Sequence, residues 1–200
     1  MHDPRRQICD IAKLTYDRFL TDAAGGNLSV RSDDKIFCTP RYAGSRWQWN
    51  IHPEHIVVTD MQGCQIEGSG ELSREYDMHK AIYQAFEEVG AVLHAHPRDI
   101  LVFASMERPI PPTLEQTDIY GTVELCEKYA SHTPELAISV VRTLAKKRTD
   151  LPHQPIACLI PRHGITIAGT DLKSCYDMLE RLEGSCHILI SRAILQNSVF

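Results

Sequence analysis

His94-Ala95-His96, at the end of the apolar run Ala91-Val92-Leu93, carries the strongest chemical signal in this chain. Alternate side chains of a strand share a face, so both imidazoles would project together from a strand end. Two convergent neutral imidazoles make half of a metal site. For an H-x-H on its own, a hydrogen-bonded core pair is the alternative. Pro97 follows and suits the first turn of a helix, which places the pair where a strand gives way to a helix.

Three other groups of residues bear on the same chemistry. Arg162-His163-Gly164 lies between two short β-rich runs. A histidine at a strand-to-strand turn can swing toward a shared site, or simply stay at the surface. Glu75 sits near the start of a predicted helix, where the helix dipole favours an acid whether or not it does chemistry. In Gly25-Gly26-Asn27-Leu28-Ser29, the glycines allow close backbone approach, and Asn and Ser offer donors to an oxyanion. An ordinary loop is the other reading of that stretch.

The elements that must position these residues alternate along the chain. Asp3-Pro4 reads as an N-cap and first turn, followed by the helical stripe Ile8, Ile11, Thr15 and Phe19. Asn27 to Val30 and Lys35 to Cys38 read as a hairpin turning at Ser32-Asp33-Asp34. Thr39 to Asn50 reads as a long loop. His55 to Thr59 reads as a strand, with Cys64-Gln65-Ile66 returning beside it. Ser73 is expected to cap a helix from Arg74 to Val89 that stops at Gly90. Further helices are expected from Arg98 to Ser105, after Thr133-Pro134-Glu135, and after Thr170-Asp171. Pro155 to Ile160 and Ile165 to Ala168 read as strands.

Composition narrows the class. At 200 residues the chain is most simply one domain, 1–200, long enough to bury a sizeable core. The net charge of -5 argues against nucleic acid as a partner, which needs a basic footprint. No apolar run approaches a membrane span, and Met1-His2-Asp3-Pro4-Arg5-Arg6 leads into no signal-type core. The seven cysteines are scattered without a C-x-x-C pair, which suggests reduced thiols and a cytoplasmic location. Cys186-His187 falls in a helical pattern and reads as packing rather than ligation.

Taken in order and spacing, these pieces resemble the class II aldolase/adducin family. Gly25-Gly26-Asn27-Leu28-Ser29-Val30-Arg31 matches its G-G/S-N-x-S-x-R loop, and Thr39-Pro40 its T-P segment. Ser73-Arg74-Glu75 with His79-Lys80-Ala81-Ile82-Tyr83 matches S-S-E and the following H-x-x-I/A-Y. Val92-Leu93-His94-Ala95-His96 matches the V-x-H-x-H strand, and Arg162-His163-Gly164-Ile165 the third-histidine motif. The resemblance runs from the first helix to about Leu189.

The resemblance implies a three-layer α/β/α fold with a central, largely antiparallel sheet. It also implies a homotetramer with active sites near subunit interfaces. It makes His94, His96 and His163 ligands of Zn2+, with another divalent ion such as Mn2+ as an alternative. Three ligands leave an open position, as catalytic zinc requires. Glu75 would exchange a proton beside the carbonyl of a small sugar phosphate, while zinc stabilises the enediolate of reversible aldol cleavage. Gly26, Asn27, Ser29, Thr39, Gly44 and Ser73 would hold the phosphate.

The chain also departs from the pattern. Thr39-Pro40 runs into Arg41-Tyr42-Ala43-Gly44-Ser45-Arg46 instead of T/S-G, and Arg74 replaces a second serine. Arginine can supply charge to a phosphate there. The aldolase tyrosine after I-P is missing, and its place falls near Glu115. Tyr120 and Tyr129 are the nearest replacements. Related dehydratases that act on methylthioribulose 1-phosphate use a glutamate in this region as acid/base, so dehydration competes with aldol cleavage. Epimerase and decarboxylase chemistry on the same scaffold, or a non-catalytic adducin-like module, are the further alternatives.

Overall fold

The computed structural model describes residues 3–197; Met1 and His2, the start of the N-terminal segment considered above, lie outside the described residues. Helix α1 (Pro4–Asp17) begins as its sequence predicts. Asp3 accepts a hydrogen bond from the Arg5 N–H at 3.1 Å, and Ile8, Ile11, Ala12 and Thr15 form the buried side. Strands β1 (Asn27–Ser32) and β2 (Lys35–Cys38) make the expected hairpin, with Asp33 at φ 52° in the turn.

The stretch expected as loop contains a five-residue helix, α2 (Ala43–Trp47). Left-handed residues bound it on both sides, Tyr42 at φ 65° and Gln48 at φ 46°, so no ordinary cap chemistry announces it. A 3₁₀ turn, Pro53–His55, takes up the start of the next expected strand, and β3 runs Val57–Asp60 with β4 (Gln65–Glu67) beside it.

Helix α3 (Tyr76–Ala85) is shorter at both ends than its sequence suggests. Glu75 occupies the N-cap position, while the Ser73 hydroxyl accepts from the Glu75 N–H at 3.3 Å and from Asn27 Nδ2 at 3.4 Å. Phe86 turns extended, at φ -129° and ψ 106°, and ends the helix before Gly90. Then follow β5 (Ala91–Ala95), α4 (Arg98–Ser105), the short α5 (Glu115–Asp118) and α6 (Pro134–Ala145). Thr133 caps α6 through the Leu136 N–H at 3.3 Å. Strands β6 (Ile156–Ile160) and β7 (Gly164–Gly169) form a second hairpin. Asp171 caps α7 (Leu172–Asn197) by accepting from the Lys173 and Ser174 N–H groups.

The seven strands form one sheet in the order β4-β3-β2-β1-β5-β7-β6, and every neighbouring pair is antiparallel. Strand alternation divides its residues between two cores. Ala91, Leu93 and Ala95 of β5 pack with residues of α1 and α7. Val92 packs on the other face with residues of α3 and α6. Helices therefore cover both faces, giving the three-layer α/β/α arrangement. The connection from β1 to β5 matters most for the site: in the β1–β5 ladder Asn27 lies opposite His94, and in the β5–β7 ladder Ala95 lies opposite Ile165. The strand ends bearing all three histidines thus meet at one edge of the central strands.

Candidate metal centre and active-site cleft

His94 is fully buried at the penultimate position of β5. Its Nδ1 lies 2.9 Å from the Ile165 carbonyl oxygen. A carbonyl only accepts, so the ring proton sits on Nδ1 and the Nε2 lone pair is free. His96 stands just beyond the strand, and the β6–β7 turn brings in His163 behind Arg162, which adopts φ 57°. The ring centroids are 5.0 Å (His94–His96), 4.9 Å (His94–His163) and 5.2 Å (His96–His163) apart. One nitrogen from each ring falls within 4.8 Å of the others.

The donor set fits a divalent metal ion. The Nε2 atoms of His94 and His96 are 3.1 Å apart, a separation at which two lone pairs call for a cation or proton between them. Burial, aided by the neighbouring rings and only partly opposed by Glu75, pushes His94 down to about 3, and burial also lowers His163. Neutral imidazole is the ligating form. The Ile165 carbonyl supplies the outer contact that orients a ligating histidine.

Glu75 reaches this centre from the start of α3. Its Oε2 accepts from Asn27 Nδ2 at 2.9 Å and lies 3.3 Å from His94 Nε2. Its Oε1 lies 3.3 Å from His163 Nε2 and 3.9 Å from His132 Nδ1, and is buried without a hydrogen bond. Burial pushes this carboxyl up. His94, His163, the Asn27 amide and His132 together outweigh that and hold it at about 2. Glu75 is therefore ionised at neutral pH.

Of the residues predicted to bind substrate, Gly26, Asn27, Gly44, Ser73 and Arg74 line one cleft together with Glu75, His96 and His163. Gly26 has φ +101°, and a Cβ there would come within 3.0 Å of the His94 carbonyl oxygen, so the loop needs glycine to pass β5.

Ser29 and Thr39 do not reach the cleft. Ser29 is fully buried beneath α3, its hydroxyl 2.7 Å from His79 Nδ1 and 2.8 Å from the Tyr83 hydroxyl. It shares a face with Asn27 but sits one strand repeat further in, under the helix rather than at its end. Thr39 is also fully buried, and its hydroxyl accepts from the Leu28 N–H at 3.1 Å. Glu115 is exposed on α5 and does not line its own chain's cleft. Neither does Tyr120, which is buried, nor Tyr129, whose hydroxyl donates to Glu127.

The structure adds residues that sequence reasoning missed. His132 lines the cleft from the residue before the α6 cap, in a left-handed conformation at φ 68°. Arg41 and Tyr42 also line it. The Tyr42 ring lies between the Arg41 and Arg46 guanidinium groups, 4.6 Å from each, and Arg41 Nε is buried without a hydrogen bond. Cys186 packs in the core, while His187 Nδ1 pairs with Asp99 at 2.9 Å.

The sequence profile of the Class II Aldolase and Adducin N-terminal domain matches residues 6–190. The chain belongs to this family. Among curated members, it is 28% identical over 181 residues to the 5-methylthioribulose-1-phosphate/5-deoxyribulose-1-phosphate aldolase of Rhodospirillum rubrum, covering 90% of this chain and 76% of that one. It is also 28% identical over 189 residues to the 3-oxo-tetronate 4-phosphate decarboxylase of Haemophilus influenzae, covering 90% and 84%. Among solved structures, an L-fuculose 1-phosphate aldolase superposes with a TM-score of 0.86 at 25% identity, over 100% of this chain and 90% of that chain. Class II aldolases are generally metal-dependent, and the three-histidine cluster provides this chain with such a site. Among the described residues, no helix is long and apolar enough to cross a membrane.

Proposed function

We propose that this chain is a zinc-dependent lyase that cleaves a small ketose phosphate by reversible aldol chemistry. The observation that carries this reading is the ionised Glu75 carboxylate, 3.3 Å from Nε2 of both His94 and His163, at the floor of a cleft edged by Arg41 and Arg74. When bound by His94, His96 and His163, the ion supplies Lewis acidity to the substrate carbonyl and hydroxyl oxygens.

The chain's own groups do the rest. In the cleavage direction, the hydroxyl on the departing carbon loses its proton, the carbon–carbon bond breaks, and the carbon left beside the carbonyl takes up a proton. Glu75 is the group for that last transfer: it must enter the cleavage direction in its protonated form and leaves as the carboxylate, and in the condensation direction the carboxylate takes a proton from the same carbon. Arg74, Arg41 and the small residues Gly26 and Gly44 all line the cleft and are the groups suited to a phosphate there. Glu115 handles the hydroxyl proton of the departing aldehyde from a neighbouring subunit of a homotetramer, since it does not line its own cleft. Reduced, unpaired cysteines accord with a cytoplasmic enzyme.

The Haemophilus relative supports a second reading, decarboxylation on the same centre, and the Glu115 substitution supports dehydration. One experiment separates them. The metal-loaded protein is screened against ketose 1-phosphates, ketose 5-phosphates and 3-oxo-acid phosphates, scoring carbonyl fragments, carbon dioxide and loss of water separately. Two carbonyl fragments support the aldolase; an intact dehydrated chain or released carbon dioxide replaces it.

A further inference from the structure

His94 and His96 are held by different parts of the fold. His94 is paired on both sides of β5, with Asn27 of β1 and Thr166 of β7, so the ladders fix its backbone. The β5–β7 ladder ends one residue later, at Ala95 opposite Ile165, and His96 lies beyond it. The chain that follows His96 must therefore hold it from the other side.

Helix α4 starts at Arg98, with Pro97 at its N-cap. A helix start leaves backbone N–H groups without intrahelical partners, and the N-cap side chain usually accepts one of them. Proline has no side-chain acceptor to offer. The acceptor comes from α7 instead. Glu183 Oε1 accepts from the Asp99 N–H and Oε2 from the Ile100 N–H, each at 2.9 Å. Both carboxylate oxygens are thus committed to the first turn of α4, where the helix dipole also favours an acid. Leu182 and Cys186, on either side of Glu183 in α7, are buried in the core that also holds Leu93 and Ala95 of β5 and Ile100 of α4. The carboxylate is therefore presented by a packed element. Only Pro97 and Arg98 separate His96 from the first N–H that Glu183 holds. His96 stands between two anchors, the ladder at Ala95 and the Glu183 bonds at Asp99 and Ile100.

We propose that Glu183 is a positioning residue for His96, acting through the first turn of α4. The inference rests on His96 being a ligand of the proposed zinc site. The test compares Glu183→Ala and Glu183→Gln with wild type, reading zinc affinity by chelator competition and the thermal unfolding of the stripped proteins. Asp171→Ala controls for a general loss of capping, because Asp171 also accepts two backbone N–H groups, from Lys173 and Ser174 at 3.0 Å each, but at the start of α7. Glu183→Ala is expected to bind zinc at least about tenfold more weakly, the scale seen when support for a ligating histidine is lost. Glu183→Gln keeps one acceptor oxygen but turns an NH2 group toward the second N–H, and is expected to fall between. Asp171→Ala is expected to unfold at a lower temperature and keep wild-type zinc affinity. Wild-type affinity in both Glu183 variants, or an equal loss in Asp171→Ala, overturns the proposal.

The wild type separates this failure from that of the wider reading. If it takes up no zinc, the metal reading has failed and the positioning role with it. If it binds zinc and the Glu183 variants bind as tightly, only the positioning role has failed. Should the Glu183 variants not fold, amide hydrogen exchange of the wild type decides. Coupling between two sites is reciprocal, so zinc is expected to slow exchange at the Asp99 and Ile100 N–H groups more than at Lys173 and Ser174. Equal slowing at both helix starts overturns the proposal.

Discussion

Asn27 and His94 lie directly opposite each other across the β1–β5 ladder. One backbone pairing thus places the amide that holds Glu75 beside the buried histidine of the metal centre. The carboxylate bridges the two, 2.9 Å from Asn27 Nδ2 and 3.3 Å from His94 Nε2. Sheet register therefore sets where the Asn27 amide and the His94 ring stand, the two groups between which the Glu75 carboxylate is held.

Metal binding is the first prediction. The wild type is expected to take up one divalent ion per chain. His163→Ala, in a half-buried turn, is expected to lose most of it while keeping wild-type secondary structure. His94→Ala is expected to lose the ion and some stability as well, because His94 is fully buried and its removal leaves a cavity. Elemental analysis and circular dichroism on the purified proteins check both. A wild type that takes up no stoichiometric ion in excess zinc would end the metal reading.

The second prediction concerns turnover. Glu75→Gln keeps the side-chain volume and an acceptor oxygen but removes the base. With saturating zinc, kcat is expected to fall by about two to four orders of magnitude, with a smaller change in KM. Steady-state kinetics at fixed free zinc measure this; unchanged kcat removes Glu75 from the chemistry.

Much of this site was legible from residue types, and the remainder depended on tertiary packing. The caps at Asp3, Thr133 and Asp171 are local chemistry and fall where their residue types predict. The apolar run before His94 and the period-two spacing of the pair likewise need only a strand. Asn27 and Ser29 look equivalent on paper, two donors on one face of one strand. Only the packing of α3 makes Asn27 a cleft residue and Ser29 a core residue bonded to His79 and Tyr83. His132 offers no local signal, because it is brought to Glu75 by the approach of the α6 start to the α3 start. Its sequence cue was only its place beside the legible cap Thr133.

The third prediction tests where Glu115 acts. It is exposed and absent from its own cleft, so a role in catalysis requires a neighbouring chain. Glu115→Gln and His94→Ala proteins are each expected to be nearly inactive alone. Co-refolding them is expected to restore activity, because some clefts in the mixed assembly would have intact histidines and an intact Glu115 from the adjacent subunit. If the mixture stays as inactive as its parents, or Glu115→Gln alone is fully active, Glu115 has no such role.

The fourth prediction follows from His79. Burial pushes this imidazole down to about 4, with Glu75 opposing in part. In the unfolded chain its pKa is about 6.5. Between these values the unfolded state binds the proton and the folded state does not, so stability is fully present above about pH 6.5 and falls as pH drops toward 4. The shift corresponds to about 3 kcal/mol from this one group. Urea unfolding across that range is expected to show the decline, and His79→Gln to show a shallower one. An equal slope in the variant would assign the pH dependence to other groups.

The last prediction uses a glycine that faces His96. A Cβ added at Gly25 would lie 2.5 Å from His96 Cε1, closer than real contacts allow, and a tight 3.2 Å from its Nδ1. Gly25 carries no left-handed strain, so alanine has no backbone conflict there, and the clash is with a side chain that can rotate. The fold should therefore absorb Gly25→Ala at little cost, and the His96 ring should not. Turning that ring moves its nitrogen away from His94 Nε2, now 3.1 Å distant, and opens the three-nitrogen set. Gly25→Ala is expected to unfold within a few degrees of wild type in the metal-free form, yet bind zinc about ten- to a hundredfold more weakly, the range seen when support for a ligating histidine is lost. Chelator competition measures the affinity and thermal unfolding of the stripped protein measures the fold. Wild-type zinc affinity in Gly25→Ala would mean that His96 does not depend on this loop for its orientation.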